Sequence, residues 1–344
     1  DRLIDKWGAH GLGIAFRISC KETSTDRTEQ QFATPRWVME AGAKGGYYRS
    51  GKEVGPEGPW EPVFDDPVFL AKLENFLKAF GARYDGKPWL RYVDIGSVGD
   101  WGEGHTHSGS RIAYTMDQLK IHIDLYRKYF RRTQLIVSDD FVYNVKDKEN
   151  RGPLHQYILK HGISYRDDSP LVNGYVRGYA DTFTVRSPEL FKDAYLKAPT
   201  VFELQHYGAV KRDGNWQVRE GSSLWNYAKG KSGPDFFRGA LGLLHASYIG
   251  YHGDAREWLD DNPELTVELL NRCGYWFFLH DVQIPETWNA GQAAVVTLTW
   301  ENRGVAPAYE PFDMHMRLRG PDALSLKVVS GSENWLPLPE GKTY

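Results

Sequence analysis

The sequence predicts a (β/α)8 TIM barrel followed by a C-terminal β-sandwich, and three observations carry that expectation. Short apolar strand candidates alternate with helical patterns from residue 1 to about 274, the mark of β/α units around a parallel sheet. Several of those strands run into acids and glycine-rich loops, where barrels of this kind keep their functional groups. Beyond residue 274 the period changes to two, in AAVVTLTW and DMHMRLRG, joined by NAG, NRG and RGPD turn signals. The expected domains are therefore a barrel over 1–274 and a β-sandwich over 275–344, the second continuing past Tyr344.

The elements follow in order. DRLIDKWGA reads as the end of a helix, and GLGIAFRIS as a strand whose continuous apolar character suits burial on both faces. TPRWVME reads as a weaker strand. Asp66 and Pro67 open a helix as N-cap and first residue, with Phe69, Leu70, Leu73, Phe76, Leu77 and Phe80 on one stripe and Gly81 closing it. Strand LRYVDIGS, the loop GDWGEGHTHSG and a helix with the capping-box spacing of Thr115 and Gln118 come next. QLIVSDD, ISYRDDS, TVFELQH and SYIGYHGD repeat the pattern, with helices around 153–161, 187–197 and 234–246. That makes seven strand candidates where such a barrel has eight, so the first strand is expected upstream of Asp1, in a longer protein.

Composition narrows the function classes. With 41% hydrophobic and 25% charged residues over 344 positions, collagen, coiled coil and bulk disorder are poor descriptions. A formal net charge of -3 supplies no cationic field for nucleic acid or an anionic bilayer, so neither is an expected partner. No apolar run approaches the ~20 residues that span hydrocarbon. Cys20 and Cys273 are too few for a disulfide framework and wrongly spaced for structural zinc. GLGIAF lacks the dinucleotide fingerprint and no P-loop occurs, so no cofactor is expected. The 14% aromatic content includes Trp and Tyr in polar, glycine-rich segments, where rings can serve as platforms for sugar faces as well as core. Trp60, Tyr179, Trp216 and Trp225, on long loops, are such candidates.

Acids at strand ends come first as chemical candidates: Glu103 in GDWGEGH, Asp139 and Asp140 after QLIVS, Asp167 and Asp168 after ISYR, and Glu203 in TVFELQH. Counting one upstream strand, Glu103 belongs to the fourth strand and Glu203 to the seventh. Glycoside transfer needs two carboxyl groups flanking one bond, an acid for the leaving oxygen and a nucleophile or base, and these two could supply them. Alternation along a strand lets at most one Asp of each pair face the barrel mouth; Asp140 and Asp168 are the candidates, to bind sugar hydroxyls or to orient Glu203. Arg166 could hold a substrate carboxylate or sulfate, or pair with a neighbouring Asp. His105, His107, His206 and His252 are expected to line the cleft, with Trp101 beside the acid and Trp225 as a further platform. Alternation of Glu103, His105 and His107 also allows a metal-dependent hydrolase, with His206 and Asp254 nearby. A carbohydrate-binding barrel without turnover is the other competing class.

The run YVDIGSVGDWGEGHTHSG, with DDPVFLAKLENFLKAFGARYDGKP before it and ISYRDDS after it, resembles barrel proteins that carry the domain of unknown function 4832. NRCGYWFFLHDVQIPETWNAGQAAVVTLTWENRGVAPAYEPF resembles the β-rich C-terminal segment of the same group. That group is similar to clan A glycoside hydrolases, including family 42 β-galactosidase-like barrels, whose acid/base and nucleophile glutamates occupy strands four and seven. The resemblance implies Glu103 as acid/base, Glu203 as nucleophile, a retaining mechanism, and a polysaccharide or oligosaccharide substrate, galactose-containing if it follows family 42. A place outside the cytoplasm is expected from that substrate class. Clan A enzymes carry Asn immediately before the acid/base, and Gly102 stands there instead.

Overall fold

A computed structural model describes residues 2–23, 32–167, 188–204, 206–217, 219–222, 232–251, 254–289, 291–310, 313–318 and 324–329. The chain divides into two compact units, Asp1–Arg166 and Asp167–Tyr344. The first runs α1 (Arg2–Gly8), β1 (Ile14–Arg17), α2 (Arg36–Glu40), β2 (Gly45–Arg49), β3 (Lys52–Glu53), β4 (Trp60–Pro62), α3 (Pro67–Tyr84) and β5 (Leu90–Asp94). It continues with α4 (Met116–Tyr129), β6 (Gln134–Ser138), α5 (Asp140–Tyr143), α6 (Arg151–Lys160) and β7 (Ser164–Asp167).

β1, β5, β6 and β7 are parallel neighbours in that order, with Phe16 opposite Val93, Val93 opposite Leu135 and Val137 opposite Tyr165. Val93, Ile95, Ile136, Val137 and Tyr165 are fully buried, as expected for a sheet covered on both faces. Local chemistry explains the helices. Asp66 accepts hydrogen bonds from the amides of Val68 and Phe69 ahead of Pro67, and α3 buries Phe69, Leu73 and Leu77. Thr115 and Gln118 close the capping box on α4. At Gly81 a Cβ would lie 2.4 Å from the Tyr129 carbonyl oxygen, so a glycine lets α3 approach α4 there.

TPRWVME is not a strand. Arg36–Glu40 is the helix α2, entered from Pro35 at φ -54°, and only Val38 of it is buried. β1 pairs directly with β5, which leaves no position between them for another strand. The long loop expected around Trp60 instead holds β3 and β4, joined to β2 in a three-stranded antiparallel sheet. Trp60 is 2% exposed and stacks on Phe32, so it is core and no sugar platform.

The second unit contains α7 (Pro188–Ala194), β8 (Thr200–Leu204), α8 (Tyr207–Arg212), α9 (Gly233–Leu244), β9 (Ala246–Tyr251), α10 (Ala255–Asp261) and α11 (Pro263–Arg272). β8 and β9 are parallel, with Glu203 opposite Gly250. Trp216 is buried against Tyr207, Phe237 and Trp258, which also removes it from the platforms. Two antiparallel pairs follow: β10 (Phe277–Gln283) with β11 (Thr297–Asn302), and β12 (Asp313–Leu318) with β13 (Leu324–Val329). The strand expected over AAVVTLTW begins only at Thr297. The segment after β11 bonds back to earlier elements, through the Val305 amide to Arg272 and the Val305 carbonyl to His245 Nδ1.

Six parallel strands are described, four in the first unit and two in the second, with helices between them. This is α/β architecture with the β/α order of a barrel. Glu103 therefore follows the second described parallel strand and Glu203 lies in the fifth; the ordinals four and seven no longer follow from one upstream strand, although their interval of three is kept.

Candidate active site

Glycine builds the loop after β5. Gly99, Trp101, Gly102 and Gly104 all have positive φ, and Trp101, at 53°, adopts a conformation that costs an ordinary residue about 1–2 kcal/mol. A Cβ on Gly102 would lie 2.6 Å from the Gly96 carbonyl oxygen, so the Asn of clan A does not fit this backbone. Gly102→Asn is expected to lower stability by upwards of about 2 kcal/mol in urea unfolding, and an unchanged midpoint would contradict the steric account. The loop is tied down by amide bonds from Trp101 to the Lys21 carbonyl, Gly104 to Val98, and Asp100 to His105. Beneath it, Ser97 donates to Nδ1 of His122, whose Nε2 donates to the Phe64 carbonyl. Burial pushes His122 down to about 4, which keeps it neutral as this pattern requires.

A chain of charges runs through the first unit at this loop. His105 Nε2 lies 3.3 Å from Glu103 Oε2 and 3.7 Å from Asp140 Oδ2, while Nδ1 lies 3.6 Å from Asp100 Oδ2. Glu103 Oε1 faces Arg17 Nη1 at 3.8 Å. Asp100 also accepts the Ser108 amide at 2.7 Å, and its Oδ1 faces Lys21 Nζ at 3.7 Å. Lys21 is fully buried and faces Glu61 Oε2 at 3.8 Å as well. Asp140 is held by the Asn144 side-chain amide at 2.8 Å. The side chain of Glu103 is 16% exposed, against 9% for His105 and less for Asp100 and Asp140, so Glu103 is the carboxylate of this group best placed to meet a ligand.

Burial alone would disfavour a charged His105. Hydrogen bonding and charge from Asp100 and Glu103 outweigh it and raise the imidazole from 6.5 to about 9. The His107 amide approaches Nδ1 at 3.3 Å, a bond that belongs to the neutral ring; three surrounding carboxylates favour the cation, whose Nδ1 proton turns to Asp100. The folded protein thus holds this proton more tightly than the unfolded chain does. Its contribution, on the order of 3 kcal/mol, is complete below the unfolded value near 6.5 and is lost as pH rises through about 9. Urea unfolding of the protein and of His105→Gln at pH 6 and pH 10 checks this: the variant should lose much of the difference between the two.

Other predicted residues fall in varied places. Trp101 is half-buried, with its ring 5.8 Å from that of His105, and His107 stacks on His105 at 4.5 Å and 21°. Near-parallel rings do not aim two nitrogen lone pairs at one point, and an imidazolium has none to offer a metal. Among the described residues no group of three or more His, Cys, Asp and Glu is arranged to hold a metal ion. Asp139 and Asp140 are both buried, and β6 ends at Ser138, so the alternation expected of a strand does not apply to them. Arg166 is 3% exposed and its Nε donates at 2.8 Å to Asp94 of β5, two strands away across β6, so its strong pairing is with an acid of the sheet. Glu203 is half-buried on β8, His206 is exposed before α8, and Asp254 caps α10 through the Arg256 amide. Asp168, Tyr179, Trp225 and His252 lie outside the described residues. Burial raises both Cys20 and Cys273 to about 12, which makes neither a nucleophile.

Arg17, Lys21, Glu61 and Asp100 are the members of the cluster that sequence reasoning missed. Asp100 shares the loop of Glu103, and Arg17 and Lys21 stand at and after the end of β1, so a search of strand ends for cations as well as acids finds three of the four. Glu61, inside a short antiparallel strand, carries no such signal.

Fold and loop together define a class: an α/β protein of parallel strands with a buried charge cluster at the C-terminal end of one of them. No family model and no curated protein matches the chain, so nothing beyond the motif resemblance connects it with barrels of domain 4832 or with family 42. Among solved structures, the native form of a β-glucanase from Saccharophagus degradans is similar with a TM-score of 0.33 and 13% identity, over 65% of this chain and 62% of that one. The match thus spans less than two thirds of the glucanase chain, and a likeness this loose carries no argument about activity.

Proposed function

We propose that the protein is a glycoside hydrolase acting on a polysaccharide or oligosaccharide, galactose-containing by the resemblance of its motifs, through Glu103 and Glu203 by retention. The observation that carries this reading is Glu103 itself: a partly exposed carboxylate on a glycine-built loop at the C-terminal end of a parallel strand, with Arg17 at one oxygen and His105 at the other. A carboxylate fixed in this way is oriented before any substrate arrives. The mechanism needs a second carboxyl group, and Glu203, on β8, is the one proposed for it. On this reading β10 to β13 form part of a β-sandwich, and action outside the cytoplasm follows from the substrate class.

The test is a panel of neutral, uronate-bearing and sulfated polysaccharides, with dinitrophenyl and methyl glycosides of galactose and glucose. Release of new reducing ends, with the anomer retained in the first product seen by NMR, is the expected result. Binding of a member of the panel with no cleavage would favour the non-catalytic carbohydrate-binding barrel instead.

A further inference from the structure

We infer that Glu103 and His105 share one mobile proton, with His105 acting as the positioning residue that stores it and Asp100 as the anchor of the imidazole. The structural part of this inference stands on geometry; its catalytic part rests on the glycosidase reading above.

A carboxylic acid that protonates a leaving group must carry a proton at the working pH. Glu103 faces two cations, Arg17 at 3.8 Å and His105 at 3.3 Å, an arrangement that favours its anion. Among the described residues, the proton donor that stands beside it is the imidazolium of His105. Among the described residues, each charged group facing His105 supports storage there. On its own loop Asp100 faces Nδ1 and Glu103 faces Nε2; from α5 Asp140 faces Nε2 at 3.7 Å. His107 stacks on the ring, Lys21 stands behind Asp100, and Arg17 stands behind Glu103. Asp140 is the more distant of the two acceptors at Nε2, at 3.7 Å against 3.3 Å for Glu103. The ring is anchored at its other nitrogen by Asp100, itself fully buried and bonded to the Ser108 amide. The raised proton affinity of His105 agrees with this picture.

The proton balance is simple. As the glycosidic C–O bond breaks and its electron pair goes to the departing oxygen, Nε2 of His105 passes its proton to Glu103, which hands it on to that oxygen, leaving a neutral imidazole beside a Glu103 carboxylate. When water attacks the glycosyl-enzyme, its proton passes to Glu103 and on to Nε2, restoring the imidazolium. No oxidant, reductant or further reactant is required.

The experiment is an NMR titration of the full chain with ring-labelled histidine, the His105 signal being assigned by its loss in His105→Gln or His105→Asn. The expected result is a midpoint raised to about 9, which falls by at least about one unit in Glu103→Gln. A midpoint near the ordinary histidine value, or one that does not respond to Glu103→Gln, overturns the shared proton whatever the activity. On the glycosides of the panel that are cleaved, His105→Gln should slow methyl glycosides about 100-fold and dinitrophenyl glycosides only a few-fold, with the alkaline limb of the pH profile moved to lower pH. Equal losses on both leaving groups with an unmoved limb overturn the catalytic part and leave the hydrolase reading standing. A titration as expected in a protein that cleaves no glycoside sinks the hydrolase reading and leaves the shared proton standing.

Discussion

Glu103→Gln is expected to lower kcat/KM on a polysaccharide or methyl glycoside by about 10²–10⁴, with binding largely kept. Gln preserves volume and shape but neither holds the charge that Arg17 and His105 face nor relays a proton to a leaving oxygen. The size of the loss should depend on the substrate. A dinitrophenolate departs without protonation, so the variant should retain most of the first chemical step on dinitrophenyl glycosides. Glu203→Gln is expected to behave differently: loss of a nucleophile removes the covalent intermediate for good and poor leaving groups alike. Steady-state kinetics on both leaving-group classes, for both variants, separates the roles. Near wild-type turnover in either variant would remove that residue from the mechanism, and reversed leaving-group patterns would exchange their roles.

Lys21→Met should destabilise the first unit by about 3–5 kcal/mol. Lys21 is fully buried, and its ammonium stands 3.7 Å from Asp100 and 3.8 Å from Glu61, both at most 2% exposed. Met matches the aliphatic stem but leaves two carboxylates buried without their cation, and uncompensated buried charge is the costly outcome. There is little slack for rearrangement. A Cβ on Gly109 would lie 3.2 Å from Asp100 Oδ1 and closer still to Glu61. The loss should also depend on pH. Burial raises the proton affinity of Glu61, against the lowering effects of its bonds with Ser110 and of the Lys21 charge. Without Lys21 that affinity rises further, so the folded state takes up a proton that the unfolded chain releases, and stability falls as pH rises above the unfolded carboxylate range. The variant should therefore lose less at pH 5 than at pH 8 in urea unfolding. A loss under about 1 kcal/mol, equal at both, would mean that the ammonium does not compensate these acids.

Much of the β/α order is legible because it is written locally. The apolar runs LRYVD and QLIVS became β5 and β6, and the caps at Asp66 and Thr115 start α3 and α4 where the sequence places them. TPRWVME was misread because a run of Trp, Val and Met suits strand and short helix alike, and only the direct pairing of β1 with β5 decides between them. Trp60 and Trp216 looked like surface platforms for the same reason: a ring in a polar, glycine-rich segment does not say which way it turns, and both turn inward. Glu103 and His105 could be picked out from their glycine-rich setting. Which charges would meet there could not, since Lys21, Glu61 and Asp140 reach the loop from other segments of the chain.

What the amino-acid sequence determined by itself is what neighbouring residues can settle among themselves: element type, capping, and a glycine loop presenting an acid after a strand. Tertiary structure alone decided which charges face that acid. Charge at Glu103 depends on which groups end within about 4 Å of it, because Coulomb energy falls with distance and is amplified away from water. Arg17 and His105 reach it only once β1 lies beside β5 and the loop turns through its four left-handed residues.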